Sequence, residues 1–157
     1  MPLIKTHTII KADVKTCFDL ARDIDVHQES LKQSQEVAIY GKTTGLIELG
    51  ETVTWEAKHF GFVQHLSSKI TKFNSCNYFL AEMVSGSFET FKQAHIFRKN
   101  GDKTVMINVL YFESPYGFLG KLANVLFLKR YMAKLLEKRN SYLKIKAEKS
   151  SKLFSLN

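Results

Sequence analysis

The sequence predicts an α+β domain in which a curved antiparallel sheet of about seven strands wraps a long C-terminal helix, with two short helices after the first strand. Three observations predict it. Apolar and polar residues alternate with period two through most of the stretch from Glu51 to Glu113, as in strands with one wet face. Beyond Ser114-Pro115 the period changes to about 3.6. Between the first and second strands lie two segments that open on helix-capping residues.

The first strand covers residues 2–10, which alternate loosely. Asp13 then caps a short helix whose Val14, Cys17, Phe18 and Ala21 recur at i, i+3, i+4 and i+7. Asp25 with Gln28 predicts a capping box that starts a second helix, the carboxylate accepting from free N–H groups while the glutamine reaches back. Residues 36–40 read as strand, and Gly41, Gly45 and Gly50 punctuate the connection that follows. In the next strand Val53, Trp55, Ala57 and His59 share one face and Thr52, Thr54, Glu56 and Lys58 the other, which places His59 on the apolar side.

A turn at Gly61 leads to a strand with Leu66, Ser68 and Ile70 on one face, and a further strand runs over 78–84 and ends at Gly86. Phe91, Gln93, His95 and Phe97 share a face of the strand over 88–98. Asn100-Gly101 signals a type I′ hairpin, which demands positive φ at both central residues. The last strand, over 104–113, is apolar on both faces; Asn108 sits on the same face as Met106, Leu110 and Phe112. The stripe of Phe118, Leu119, Leu122, Val125, Leu126, Met132, Leu135, Leu136 and Leu143 then predicts a helix of about 30 residues, roughly 45 Å long at ~1.5 Å per residue. A helix of that length can cross the concave face of the sheet. The order strand, two short helices, six antiparallel strands, long helix is the helix-grip architecture.

Size and composition agree with one domain. At 157 residues, with 45% hydrophobic and 24% charged, the chain is long enough to bury about two-thirds of its unfolded surface. Twelve Phe, six Tyr and one Trp fall mainly in the strand-like segments. No repeat or linker divides the chain, so a single domain is expected over 1–148, with 149–157 a frayed basic tail. Cys17 and Cys76 stand in no metal-ligand or disulfide-framework spacing. With no signal-peptide pattern and no apolar run near ~18 residues, the expected home is the cytoplasm and no transmembrane segment is expected.

The net charge of +8 is unevenly placed. Up to Gly120, thirteen Lys/Arg face thirteen Asp/Glu; from Lys121 onward, ten face two. Two readings remain open. One is a solvated helix face whose cations suit the negative end of the helix dipole. The other is a basic stripe of Lys129, Arg130, Lys134, Lys138, Arg139, Lys144 and Lys146 that weakly attracts nucleic acid, ribosome or anionic membrane.

Several stretches together resemble the START-like, birch-pollen-allergen-like superfamily (SRPBCC), and within it the bacterial polyketide cyclase/dehydrase-like branch. They are residues 22–27 (Arg-Asp-Ile-Asp-Val-His), Gly45-Leu46-Ile47, residues 50–57 (Gly-Glu-Thr-Val-Thr-Trp-Glu-Ala) with His59-Phe60-Gly61, Glu82-Met83-Val84 with Gly86 and Phe88, and Ser114-Pro115 with Gly117. The resemblance spans about residues 4–148 and implies a helix-grip fold around an apolar cavity. The branch carries His-x-His where this chain has Gln93-Ala94-His95, and Asp where Asn108 stands, so any acid-base pair the branch places there is weakened here.

The candidate ligand-binding residues are Trp55, His59, Phe91, Gln93, His95 and Asn108 on the sheet and Leu122 and Leu126 on the helix. A pocket that is mostly apolar needs a few polar groups to orient its ligand, and His59, Gln93, His95 and Asn108 supply them from three strands. The plainer alternative makes the histidines core residues satisfied by hydrogen-bond partners. His59 and His95 are also the candidates for a general base in a cyclase- or dehydratase-type enzyme. No metal is expected, since His-x-His and His-x-x-x-His spacings are missing, and no cofactor is called for. Gly41-Lys42-Thr43 imitates the end of a phosphate-binding loop, but Glu36 stands where that loop needs glycine. The leading expectation is therefore binding of a hydrophobic small molecule.

Overall fold

The computed structural model describes residues 3–113 and 121–155, and within the last helix the side chains of 126–153. Strand β1 (Leu3–Ile10) is followed by helices α1 (Val14–Ala21) and α2 (Ile24–Ser30), strands β2 (Val37–Gly41), β3 (Thr52–His59), β4 (Phe62–Asn74), β5 (Tyr78–Gly86), β6 (Thr90–Asn100) and β7 (Lys103–Glu113), and helix α3 (Lys121–Ser155). The strands form one antiparallel sheet in the order β1-β7-β6-β5-β4-β3-β2. β1 and β2 are thus opposite edges, and α1 and α2 carry the chain from one to the other. α3 packs against β1, α1 and α2. This is the α+β helix-grip arrangement that the element order predicts.

Alternation places the side chains as expected on β3, where Val53, Trp55 and Ala57 are buried, and on β6, where His95 and Phe97 are. On β7 it is Thr104, Met106, Asn108, Leu110 and Phe112 that turn inward. Bulges at Ser67/Ser68 and Ile70/Lys72 interrupt the β4–β5 ladder, and bulges bend a strand and increase its twist. At one end of the concave face the interior is solid: the Phe18 ring of α1 meets Phe73, Phe79 and Phe97 edge-on at 5.3, 5.6 and 5.4 Å.

Three local expectations are corrected. α2 is capped by Asp23, whose Oδ1 accepts from the Asp25 and Val26 amides, not by Asp25. Asp25 Oδ2 instead accepts from Thr44 Oγ1 and the Gly45 amide, while Gln28 Oε1 takes the Ala38 amide of β2. The carboxylate and amide of the expected box are thus drawn off by the crossing glycine loop and the edge strand. The β6–β7 turn falls at Gly101-Asp102, one residue later than Asn100-Gly101, and only Gly101 has positive φ, so it is not type I′. Phe60-Gly61, between β3 and β4, is the connection with positive φ at both positions, 54° and 79°. Finally, α3 is helical as far as Ser155 through the stretch expected to fray, and its 35 residues span roughly 52 Å at ~1.5 Å each.

Among the described side chains, the buried face of α3 consists of Leu136, Arg139, Asn140, Leu143 and Ala147. Leu126 is 58% exposed, contrary to its expected place in the stripe. Toward that end of α3 it is Leu128, Tyr131, Met132 and Leu135 that turn toward the sheet. Nine residues at about 100° each put Leu126 half a turn round from Leu135. Phe118 and Leu119, and the side chains of Leu122 and Val125, lie outside the described residues.

Candidate functional site

At the other end of the concave face, sheet and helix do not close on each other. Two adjoining cavities of about 130 and about 110 Å³ remain. The outer one lies between the inner faces of β3, β4, β6 and β7 and the Leu128–Arg139 side of α3. Phe60, His65 and Tyr131 stand among its lining residues, Phe60 half-exposed on the β3–β4 turn. The inner one runs toward α1 and is lined by Ala21, Ile24, Ile47, Val53, Phe79 and His95, among others. His27, Glu36, Trp55, Leu66, Phe91, Gln93 and Arg139 line both.

Six of the eight sequence candidates lie on the inner face of the sheet, but they divide. Trp55, Phe91 and Gln93 line both cavities, His59 only the outer and His95 only the inner. Asn108, 1% exposed, lines neither: its Nδ2 donates to Asn140 Oδ1 of α3 at 2.8 Å, and Asn140 Nδ2 donates on to Thr6 of β1. It ties strand to helix instead of facing a ligand. Leu126, being exposed, is not a lining residue, and the side chain of Leu122 lies outside the described residues.

His27, Glu36, Tyr131 and Arg139 are polar lining residues that were not among the candidates. His27 Nε2 meets Glu36 Oε1 at 2.5 Å, and the His27 ring lies against Trp55, centroids 4.2 Å apart. His59 Nδ1 meets the Tyr131 hydroxyl at 2.5 Å. Arg139, 8% exposed, reaches under α1 to donate from Nη2 to the Ala21 carbonyl at 2.7 Å. The helix spacing Leu136, Arg139, Asn140, Leu143, Ala147 carried a signal for Arg139 and Asn140, since both sit between apolar residues on one face. His27 fell within the stretch quoted for the resemblance; Glu36 had no signal of its own.

The electrostatics follow from burial. Burial pulls the Arg139 guanidinium down to about 10, with Glu36 acting the other way, so it stays charged near neutrality. Burial pushes Glu36 up, but His27, His59 and Arg139 together outweigh that and hold its carboxyl below the usual range. Burial lowers His27 despite Glu36, so a neutral ring faces an ionised carboxylate. A carboxylate only accepts, so His27 Nε2 carries the hydrogen of that bond. Burial also lowers His59, with Glu36 opposing. His95 is held well below 6.5, by burial first and the Arg139 charge second. The wall shared by the two cavities thus carries one positive charge, Arg139, and one negative charge, Glu36, beside the neutral ring of His27.

Among the described residues no group of three or more His, Cys, Asp or Glu is placed to hold a metal ion. No helix there is long and apolar enough to cross a membrane. The cations of α3 are in large part engaged within the chain. Lys138 donates to Gln33, Lys144 to the Ile9 carbonyl and Glu148, and Lys146 to Glu29. With Arg139 buried, the stripe read from the sequence as a nucleic-acid or membrane surface is broken up.

No family model and no curated protein matches the chain. Solved structures do, at the level of the fold. A START superfamily protein from Mycobacterium smegmatis superposes with a TM-score of 0.69 at 14% identity, covering 94% of this chain and 97% of that one. Ginseng major latex-like protein 151 from Panax ginseng gives 0.65 at 13% identity, covering 92% and 96%. The Zhui aromatase/cyclase from a Streptomyces species gives 0.74 at 8% identity, covering 93% of both. The chain therefore has the START-like helix-grip fold that its motifs pointed to.

Proposed function

We propose that the protein is a cytoplasmic binding module that holds an apolar small molecule between the sheet and α3. The observation that carries this reading is the lined cavity: Trp55, Leu66, Phe91, Leu110, Leu128, Met132 and Leu136 supply an apolar wall, and a few polar groups converge on it. Both cysteines are free, and Cys17 is buried with its thiol pushed up to about 11 by burial, which suits a reducing compartment. Native mass spectrometry of the protein purified from its own host tests the reading. A bound organic mass that disappears in Ala57→Leu, a variant that fills the outer cavity, is the expected result. A chain free of ligand at every stage, and deaf to host lipid extract, would end the proposal.

A second reading, a cyclase- or dehydratase-type enzyme, is favoured by one contact. His59 and Tyr131 are hydrogen-bonded at the outer cavity, a base and a phenol within reach of one ligand atom. Turnover of a bound ligand that is lost in His59→Gln and kept in His95→Phe would establish it; turnover indifferent to His59 would remove it.

A further inference from the structure

Hydrogen-bonding capacity is left over at the inner end of the cavity. A guanidinium carries five N–H donors. Arg139 uses one, to the Ala21 carbonyl, and among the described residues nothing accepts from its Nε or Nη1. The Gln93 side chain likewise makes no hydrogen bond among the described residues, and His95, 3% exposed and stacked on Phe79 at 4.3 Å, has Asn108 as its one polar side-chain neighbour. All three line the inner cavity. Buried polar groups nearly always find partners. The spare donors of Arg139 and the free Gln93 amide, on two elements facing one space, describe a place for something with polar atoms of its own.

The sign of that partner follows from what is available. Arg139 can only donate, and the Gln93 amide and a neutral imidazole offer one acceptor group each beside their N–H donors. Glu36, the strongest acceptor nearby, is bonded at Oε1 to His27 and takes no hydrogen bond from Arg139. The unused groups of Arg139 are all donors, so the group that completes them is an acceptor oxygen. Its charge follows as well. Arg139 and Glu36 balance, and an added carboxylate would leave the wall with an uncompensated negative charge away from water.

We infer that the inner end of the cavity recognises a neutral carbonyl oxygen on an otherwise apolar ligand, through Arg139 with Gln93 and His95 beside it, an inference that rests on the ligand-binding reading above. The body of the ligand lies in the outer cavity against Trp55, Phe91 and Leu128. At about 130 Å³ that space is close to the ~150 Å³ of an apolar cavity that holds benzene. A single ring fits there.

The test uses three one-ring probes, ethylbenzene, acetophenone and benzoate, titrated into the whole chain. The only tryptophan, Trp55, lines both cavities, so its single indole N–H resonance reports occupancy by NMR. Ethylbenzene and acetophenone are expected to shift it, and benzoate to bind more weakly than acetophenone. Arg139→Met is expected to weaken acetophenone about tenfold relative to ethylbenzene, the loss of one good hydrogen bond. Gln93→Leu, at a partly buried position with no partner to lose, gives a smaller change in the same ratio and serves if Arg139→Met does not fold. An unchanged ratio in the folded variants, or benzoate binding more tightly than acetophenone, overturns the carbonyl assignment and leaves apolar binding standing. No response to ethylbenzene or acetophenone in the wild-type chain overturns the cavity reading itself and this inference with it.

Discussion

The two ends of the concave face are built from the same alternating strands, yet one is solid and the other hollow. At the solid end, Phe18 descends from α1 into Phe73, Phe79 and Phe97, with the Arg22 guanidinium lying over the Phe18 and Phe73 rings from the side. At the hollow end the sheet faces α3 across His27, Glu36, Arg139 and the two cavities. The strands supply an apolar surface in both places. What differs is the opposing element: a short helix that sends one large ring inward closes the gap, and a helix that buries a guanidinium on its inner face does not. A charged group that must keep polar company resists close apolar packing. The hollow is thus a consequence of the residues placed at its wall.

The largest expected effect lies at the solid end. Phe18→Ala removes a fully buried ring and its three edge contacts, and should cost about 3–5 kcal/mol in denaturant unfolding. A loss under about 1 kcal/mol would mean that this end collapses freely and is no more packed than the other. Next comes a matched pair of enlargements. Ala147→Leu, at a position with 0% exposure in the solid core, should destabilise by about 1–3 kcal/mol through overpacking. Ala57→Leu adds the same atoms beside a cavity of about 130 Å³ and should cost less than about 1 kcal/mol. Equal costs at the two positions would erase the contrast between the ends.

Acid should also act on the hollow end. His27, His59 and His95 have folded pKa values below their ordinary 6.5, so between the folded value and 6.5 the unfolded chain binds protons that the native chain refuses. Their stabilisation is complete above about pH 6.5 and is lost progressively as pH falls below it. Glu36, also lowered, adds a loss in the same direction below 4.5. Melting temperature should therefore fall from pH 7 to pH 5, and His95→Phe, which keeps the stack on Phe79, should flatten that fall. A profile steeper in the variant would contradict the assignment.

Much of this contrast could be read in the sequence, and the part that could not has a physical cause. Period two fixed the inward set of β3 and of β6 because each strand has one wet face. It left β7 open, since Val105, Ile107, Val109 and Tyr111 make its outer face apolar too although most of them are only part-buried, and the inward set including Asn108 emerged only from pairing with β1 and β6. Pattern alone put Trp55, Phe91 and Gln93 on the inner face of the sheet, and the resemblance supplied the cavity. Arg139 was misread because its charge was weighed above its spacing: it repeats with Leu136 and Leu143, yet a cation on a basic helix reads as solvated. Glu36 and His27 come together through the turn between α2 and β2, which no periodicity describes. Polar sites of this kind are set by which elements meet, and local sequence holds only half of each pair.

The smallest effect concerns the solvent side of the same helix, where the sequence put its weight on charge. Lys146 lies 2.8 Å from Glu29, and Tyr142 donates to the same carboxylate at 2.6 Å, a cluster that looks as well connected as the one around Arg139. Its surroundings are different: both partners of the ion pair are about two-fifths exposed, at 41% and 42%. In water the attraction is screened and the ordering of two long side chains offsets most of what remains. Lys146→Ala should therefore change stability by no more than about 0.5 kcal/mol, and by less in high salt, measured by urea unfolding at two ionic strengths. A loss above about 2 kcal/mol would mean that the outer face of α3 holds the fold as firmly as the buried one. The uneven charge of the chain would then be structural on both sides of the helix.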